Sequence, residues 1–308
     1  MSAPLPPPGL AAYVGDSVEG FDASGRALRT DVERILGPQW SWEGKRVLDF
    51  GCGPGRLLRH FLPEARRGRW MGADVHEPSL AWARTALSPP VELQRTPGAP
   101  PLPFVHESFD LVLSMSVISH LVDDWAAWML DLRRVLAPGG LLLTTIISAG
   151  YSRTLAGEPW DETRVGMNVL GYGAPRCAGG PMIMHSGWWV RAHWGRAFEI
   201  LALEESGLMS GEPEGTQGAV LMRRREVELT PEDLEAPEPG ESRELLALAH
   251  NLAQTRRERA HLNRSNDEYA QAYHDARAQL DRLGKRAGPR QRARRLLRRV
   301  RGETGAGA

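Results

Sequence analysis

From Arg46 onward the chain alternates short apolar runs with amphipathic stretches. Arg46-Val47-Leu48-Asp49-Phe50 is an apolar run of strand length stopped by glycine, and so reads as a buried strand. Arg56 to Phe61 starts a helix, Trp70 to Asp74 is a second strand, and Ser79 to Leu87 a second helix. Val91 to Arg95 and Phe109 to Ser114 continue the strand series. Asp123 to Leu136 carries an apolar stripe at helical spacing and is ended by Pro138-Gly139-Gly140, after which Leu141 to Ile147 is an apolar, β-branched strand. Strands alternating with helices predict a mostly parallel sheet covered on both faces, an α/β doubly wound fold. Phe198 to Leu203 and Ala219 to Arg223 then read as an antiparallel pair at one sheet edge, closing the domain near Arg225.

The flanks follow other patterns. Ser24 is a candidate cap for a helix from Arg26 to Leu36, which Gly37-Pro38 ends, leaving 1–23 as a flexible N-terminal arm. Residues 150–195 are rich in Gly, Trp, Tyr and Met without a clean period, the mark of an insertion capping a substrate. The Pro- and Glu-rich stretch 226–242 reads as a linker between the main domain, 24–225, and a helical segment, 243–284. In that segment Leu245, Leu248, Leu252, Leu262, Tyr269, Tyr273, Ala276, Leu280 and Leu283 fall at alternating spacings of three and four, with Thr255, Arg259 and Asn266 at the remaining seam positions. This period suits a coiled coil, with Asn266 as a register device, and points to a homodimer. The alternative is a single amphipathic helix packed on the main domain.

Composition adds little to this and charge adds more. With 42% hydrophobic and 25% charged residues, the 308-residue chain is of ordinary globular type. The formal net charge of zero conceals a basic tail, 285–308, with nine Lys/Arg and no Asp/Glu from Lys285 to Arg301. Leu296, Leu297 and Val300 give that tail a small apolar stripe, so 285–301 is a candidate for contact with an anionic membrane surface, with nucleic acid as a weaker alternative and a solvated tail as the plain one. Two cysteines, Cys52 and Cys177, without metal-ligand spacing, argue against a disulfide framework or a metal site. With no signal-peptide pattern and no apolar run of membrane-crossing length, the expected location is cytoplasmic, peripheral to a membrane if the tail binds one.

The chemistry concentrates after the first strand. Gly51, Gly53 and Gly55 let the backbone turn tightly and approach a ligand closely. Arg56 stands where a dinucleotide fingerprint needs its third glycine, and no Gly-Lys-Ser/Thr closes the loop, so neither that motif nor a P-loop is present. Asp49 precedes the glycines, where it can face a ligand ammonium. Asp74 ends the next strand, where a carboxylate can accept ribose hydroxyls.

Val47 to Gly55 resembles motif I of class I S-adenosylmethionine-dependent methyltransferases, of the type 11 and type 25 kind. Gly72-Ala73-Asp74, the stretch Pro101-Leu102-Pro103-Phe104 with Ser108-Phe109-Asp110-Leu111-Val112, and Leu132-Arg133-Arg134-Val135-Leu136-Ala137-Pro138-Gly139-Gly140 resemble the later motifs of that family in order. The resemblance implies a Rossmann-like seven-stranded sheet with a reversed last strand and S-adenosyl-L-methionine as cofactor. It implies that Gly51, Cys52, Gly53 and Gly55 line the cofactor, that Asp49 lies near its amine, that Asp74 holds the ribose with Val75 beside the adenine, and that Ser114 and Met115 border the sulfonium. Many relatives carry an acid after the third strand. Arg95-Thr96-Pro97-Gly98 has none, which leaves adenine to backbone groups.

Methyl transfer needs alignment and, where the acceptor must lose a proton, a base. His120 and His185 are the candidates, and Tyr151, Trp160, Tyr172, Trp188 and Trp189 are the aromatic candidates for the acceptor pocket. For both groups the alternative is ordinary packing. A small molecule or saccharide, methylated on oxygen, is the expected acceptor. The rival readings are a non-enzymatic adaptor with a degenerate cofactor fold and an RNA methyltransferase guided by the basic tail.

Overall fold

The computed structural model describes residues 3–15, 17–171 and 180–286. The chain divides into two compact units, Met1–Thr255 and Arg256–Ala308. The first opens with helices α1 (Pro8–Tyr13) and α2 (Val18–Leu36), followed by β1 (Arg46–Phe50), the short α3 (Leu62–Ala65), β2 (Arg69–Asp74), α4 (Glu77–Leu87), β3 (Val91–Arg95), β4 (Phe109–Ser114), α5 (Trp125–Val135) and β5 (Leu136–Ile146). A separate hairpin, β6 (Met167–Leu170) and β7 (Met182–His185), precedes α6 (Gly187–Ala197), β8 (Phe198–Glu204), β9 (Gly218–Arg224), α7 (Pro231–Glu235) and α8 (Arg243–Arg286).

The seven strands of the main sheet run β3-β2-β1-β4-β5-β9-β8. β1, β2, β3, β4 and β5 pair in parallel, and β9 is antiparallel to both β5 and β8. This is the expected doubly wound sheet with a reversed strand. Side chains alternate across it: Val47, Leu111, Leu113 and Leu143 join the core beneath α2 and α4, while Leu48, Phe50, Val112 and Leu142 join the core beneath α5 and α6. Burial of both faces is why these strands read as nearly continuous apolar runs.

Four boundaries differ from the sequence reading. α2 starts at Val18, not Arg26, because Ser17 rather than Ser24 caps it: the Ser17 Oγ accepts the Gly20 N–H at 2.9 Å, and Phe21 begins the buried stripe that Leu28 and Val32 continue. With α1 also formed, the arm expected over 1–23 contains the helix Pro8–Tyr13 and the first turns of α2. The insertion is shorter than expected. Gly187–Ala197 is a regular helix capped by Ser186, and its Trp188, Trp189, Val190, Trp194 and Ala197 are buried in the sheet's core. The linker is not free chain. Thr230 and Asp233 form a capping box that nucleates α7, Leu234 is buried, and Arg196 donates to the Ala236 carbonyl at 2.7 Å. Last, Pro138-Gly139-Gly140 does not precede β5 but makes an irregularity inside it, between the pairs Phe109↔Leu136 and Leu111↔Leu141.

The first three turns of α8 dock on the domain by a polar face. His193 Nε2 pairs with Glu244 at 2.9 Å, the Asn168 amide with His250 at 2.8 Å, and the Asn251 Oδ1 accepts the Val169 N–H at 3.0 Å, with Ala247 buried between. The leucines of the seam do not take part: Leu245 is 77% and Leu248 65% exposed. Among the described residues no helix is long and apolar enough to cross a membrane. The basic segment expected to touch a membrane lies, from residue 287 on, outside the described residues, as does Cys177.

Candidate active site

Doubly wound sheets bind ligands at the carboxyl ends of their strands, where the order reverses. Here that point lies between β1 and β4, and the sequence-derived residues gather around it. The loop after β1 is pinned to β2: the N–H groups of Gly51 and Cys52 both donate to the Ala73 carbonyl, at 2.7 and 3.1 Å. Gly53 has φ +52°, and a Cβ on it would stand 2.7 Å from the Val14 side chain. Gly51 has φ +79°, and a Cβ there would run into the Val117 side chain, so only glycine suits either position.

The two acids differ in role. Asp74, 6% exposed, accepts the Gly53 N–H at 2.7 Å through Oδ2 and the His76 N–H at 2.8 Å through Oδ1. Each oxygen keeps a lone pair for a ligand hydroxyl. Asp49 is 3% exposed. Burial, with the Asp74 charge nearby, pushes its carboxyl up to about 7 against the pull of Arg56. Such a carboxyl is short of positive charge, which a ligand ammonium would supply. The same burial pushes the Cys52 thiol up, so it stays protonated within the core. Beside Asp74, Val75 is 43% exposed. Buried carboxyls at Asp49 and Asp74, set about a loop whose glycines leave the backbone bare, have the chemistry to meet the amine and the ribose hydroxyls of S-adenosylmethionine.

The other wall is the end of β4. Ser114 and Met115 are buried, and the Ser114 Oγ has no hydrogen-bond partner. The next residue, Ser116, has φ +62°, held by its N–H on the Thr145 Oγ1 at 2.7 Å and its Oγ on Gln217 at 3.0 Å. A non-glycine residue in that region is strained, and strain collects at ligand sites. His120, half-buried just beyond, has Nδ1 3.2 Å from the Pro181 carbonyl, which fits Nδ1 carrying a proton.

The remaining candidates separate. His185 is 1% exposed, both ring nitrogens are unpartnered, and burial pushes it down to about 3. A group so reluctant to hold a proton is a poor base near neutrality, and it sits between Trp189 and Trp194, at 5.4 and 5.0 Å between ring centroids. Trp188 and Trp189 belong to the buried face of α6, whereas Tyr151 and Trp160 pack on a small cluster around Ile147, Val165 and Met184. The four described aromatics therefore fall in two clusters, because the helical burial of α6 claims Trp188 and Trp189. Tyr172 lies outside the described residues.

Sequence reading missed the N-terminal contribution. The Tyr13 ring stacks on His76 at 4.0 Å and 15°, and Val14 covers Gly53. The only signal was Ser17, a better cap than Ser24 for a helix whose apolar stripe starts at Phe21. Two further acids are structural. Asp131 accepts the Leu102 N–H at 2.6 Å and pairs with Arg134, whose guanidinium holds the Phe104 carbonyl, also at 2.6 Å. Asp110 binds Arg46 at 2.7 Å, tying β4 to β1.

Residues 47–140 match the family profile described as "Methyltransferase domain". An S-adenosylmethionine dependent methyltransferase from Mesorhizobium loti is similar in structure, with a TM-score of 0.51 and 22% identity over 66% of this chain and 98% of that one. Among curated proteins, the ubiquinone biosynthesis O-methyltransferase of Ruegeria pomeroyi is 35% identical over 126 residues, covering 40% of this chain and 49% of that protein. That of Cereibacter sphaeroides is 29% identical over 140 residues, 43% and 55% respectively. The chain thus spans about half the length of these curated relatives.

Proposed function

We propose that the chain is an S-adenosylmethionine-dependent methyltransferase acting on a hydroxyl group of a small molecule or saccharide. The observation that carries this reading is the pair of buried carboxylates, Asp49 and Asp74, set about the loop Gly51 to Gly55. The cofactor supplies an electrophilic methyl when bound. Asp49 would hold its amine, Asp74 its ribose hydroxyls, and Val75 the face of its base. Ser114 and Met115 would border the methyl, and His120 would accept the acceptor's proton. Tyr151 and Trp160 are proposed to line the acceptor side, and His185, Trp188 and Trp189 to support it by packing. The match to proteins named for O-methylation in ubiquinone biosynthesis supports oxygen as the target and a small molecule as its carrier. Calorimetric titration of the protein with S-adenosylhomocysteine tests the reading: it predicts binding that Asp74→Ala weakens, and a folded protein that does not bind would sink it.

We also propose that the chain pairs with a second copy through 243–284. The exposed stripe Leu245, Leu248, Leu252, Leu262, Tyr269 and Tyr273 supports this.

A further inference from the structure

The direction of that pairing follows from which residues occupy the seam. From Arg256 to Gln279 no residue of α8 is buried. A helix in water draws most of its stability from packing an amphipathic face, and here that face is bare: Leu262 is 49%, Tyr269 76% and Tyr273 62% exposed. The docked turns bury Ala247 and Gln254 and leave Leu245, Leu248 and Leu252 outside, in phase with the same stripe. In these docked turns the domain and the stripe therefore use different faces, and Leu245, Leu248 and Leu252 are open to a second copy.

The polar seam positions decide the orientation. In a parallel pair each residue meets itself, so Arg259 meets Arg259 of the second copy and two like charges are pressed together with no acid at the seam to relieve them. Reversing one helix about position 264 sets the two kinds of seam position opposite each other. Arg259 then meets Tyr269, a cation over an aromatic face. Thr255 meets Tyr273, two hydroxyls within reach of a hydrogen bond. Leu252 meets Ala276, and the leucine positions 245 and 248 meet 283 and 280. Asn266, opposite Leu262, is the one position that parallel pairing would serve better, because Asn pairs with Asn there. An asparagine amide can turn to the helix edge and keep its water, while the Arg259 charges at a parallel seam remain opposed. We propose that α8 pairs with a second copy of this chain in antiparallel register centred on residue 264, so that Arg259 of each copy lies on Tyr269 of the other.

This rests on the pairing through 243–284 and not on the cofactor. The test uses the full chain with Cys177→Ser, into which Thr255→Cys or Tyr273→Cys is introduced; the native Cys52 is buried. In the antiparallel register, Thr255 of one copy lies about 27 Å from Thr255 of the other, eighteen residues at about 1.5 Å each. Mild oxidation should link neither single variant to itself and should link an equimolar mixture of the two into a dimer. Self-linking of each variant would mean a parallel pair and would overturn the orientation while leaving the pairing intact. Light scattering of the parent chain that stays at 34.0 kDa across the concentration range would overturn both.

Discussion

Asp74 and Gly53 are joined by a 2.7 Å hydrogen bond from the loop amide to the carboxylate, so the acid that would hold a ligand's ribose also sets the shape of the loop that would hold the rest of it. Asp74→Ala removes this bond and the one from the His76 N–H together. Charge-assisted bonds of this kind contribute about 1.5–3 kcal/mol each, so affinity for S-adenosylhomocysteine should fall at least tenfold. Asp74→Asn keeps one acceptor and should fall between, as read by calorimetry.

Asp49 makes binding depend on pH. Its carboxyl stands near 7 in the free protein, and a ligand ammonium favours the ionised form. Affinity should therefore rise as pH passes upward through 7, level off above about 8, and fall by up to about tenfold per unit below. Titrations in buffers of different ionisation heat should read a proton released on binding, and Asp49→Asn should abolish it. Stability of the free protein runs the other way. An acid raised from 3.8 is best tolerated protonated, so stability falls as pH rises from about 4 to 7, and Asp49→Asn should remove that slope.

The two histidines should separate under substitution. His120→Gln should lower kcat about 10²–10⁴-fold while leaving affinity for S-adenosylhomocysteine within about twofold, as expected for a base that does not touch the cofactor. His185→Phe should change stability instead. Its imidazole stands at about 3, against an ordinary 6.5, so protonation on unfolding destabilises the native state as pH falls from about 6.5 towards 3. The phenylalanine variant should lose that acid sensitivity in thermal melts.

Gly53→Ala brings a methyl against Val14 at a backbone angle that costs an L residue about 1–2 kcal/mol. Cofactor affinity should drop, and Val14→Ala in the same chain should restore part of it. A double-mutant cycle with a coupling near zero would show that the N-terminal helix and the loop do not meet in solution.

The sheet was legible because its strands are buried on both faces: Val47-Leu48 and Leu111-Val112-Leu113 could belong to little else. Asp49, Asp74 and the loop glycines were legible because they sit at strand ends, where sequence position fixes spatial position. Trp188 and Trp189 were misplaced because α6 buries seven of its eleven residues, so little polar surface is left to reveal its period. The docking of the first turns of α8 was not legible. Docking there uses His250 and Asn251, polar residues that no apolar pattern registers.

The stack of Tyr13 on His76 holds the end of the helix Pro8–Tyr13 two residues along the chain from Asp74. A cofactor that entered between the two rings would have to part them, and its spent form would have to part them again to leave. Turnover would then be paced by a hinge at the start of the chain, far in sequence from any residue that touches the acceptor. Substitutions in the first fifteen residues would alter product release, and with it the burst-to-steady-state ratio, while leaving the methyl-transfer step itself untouched.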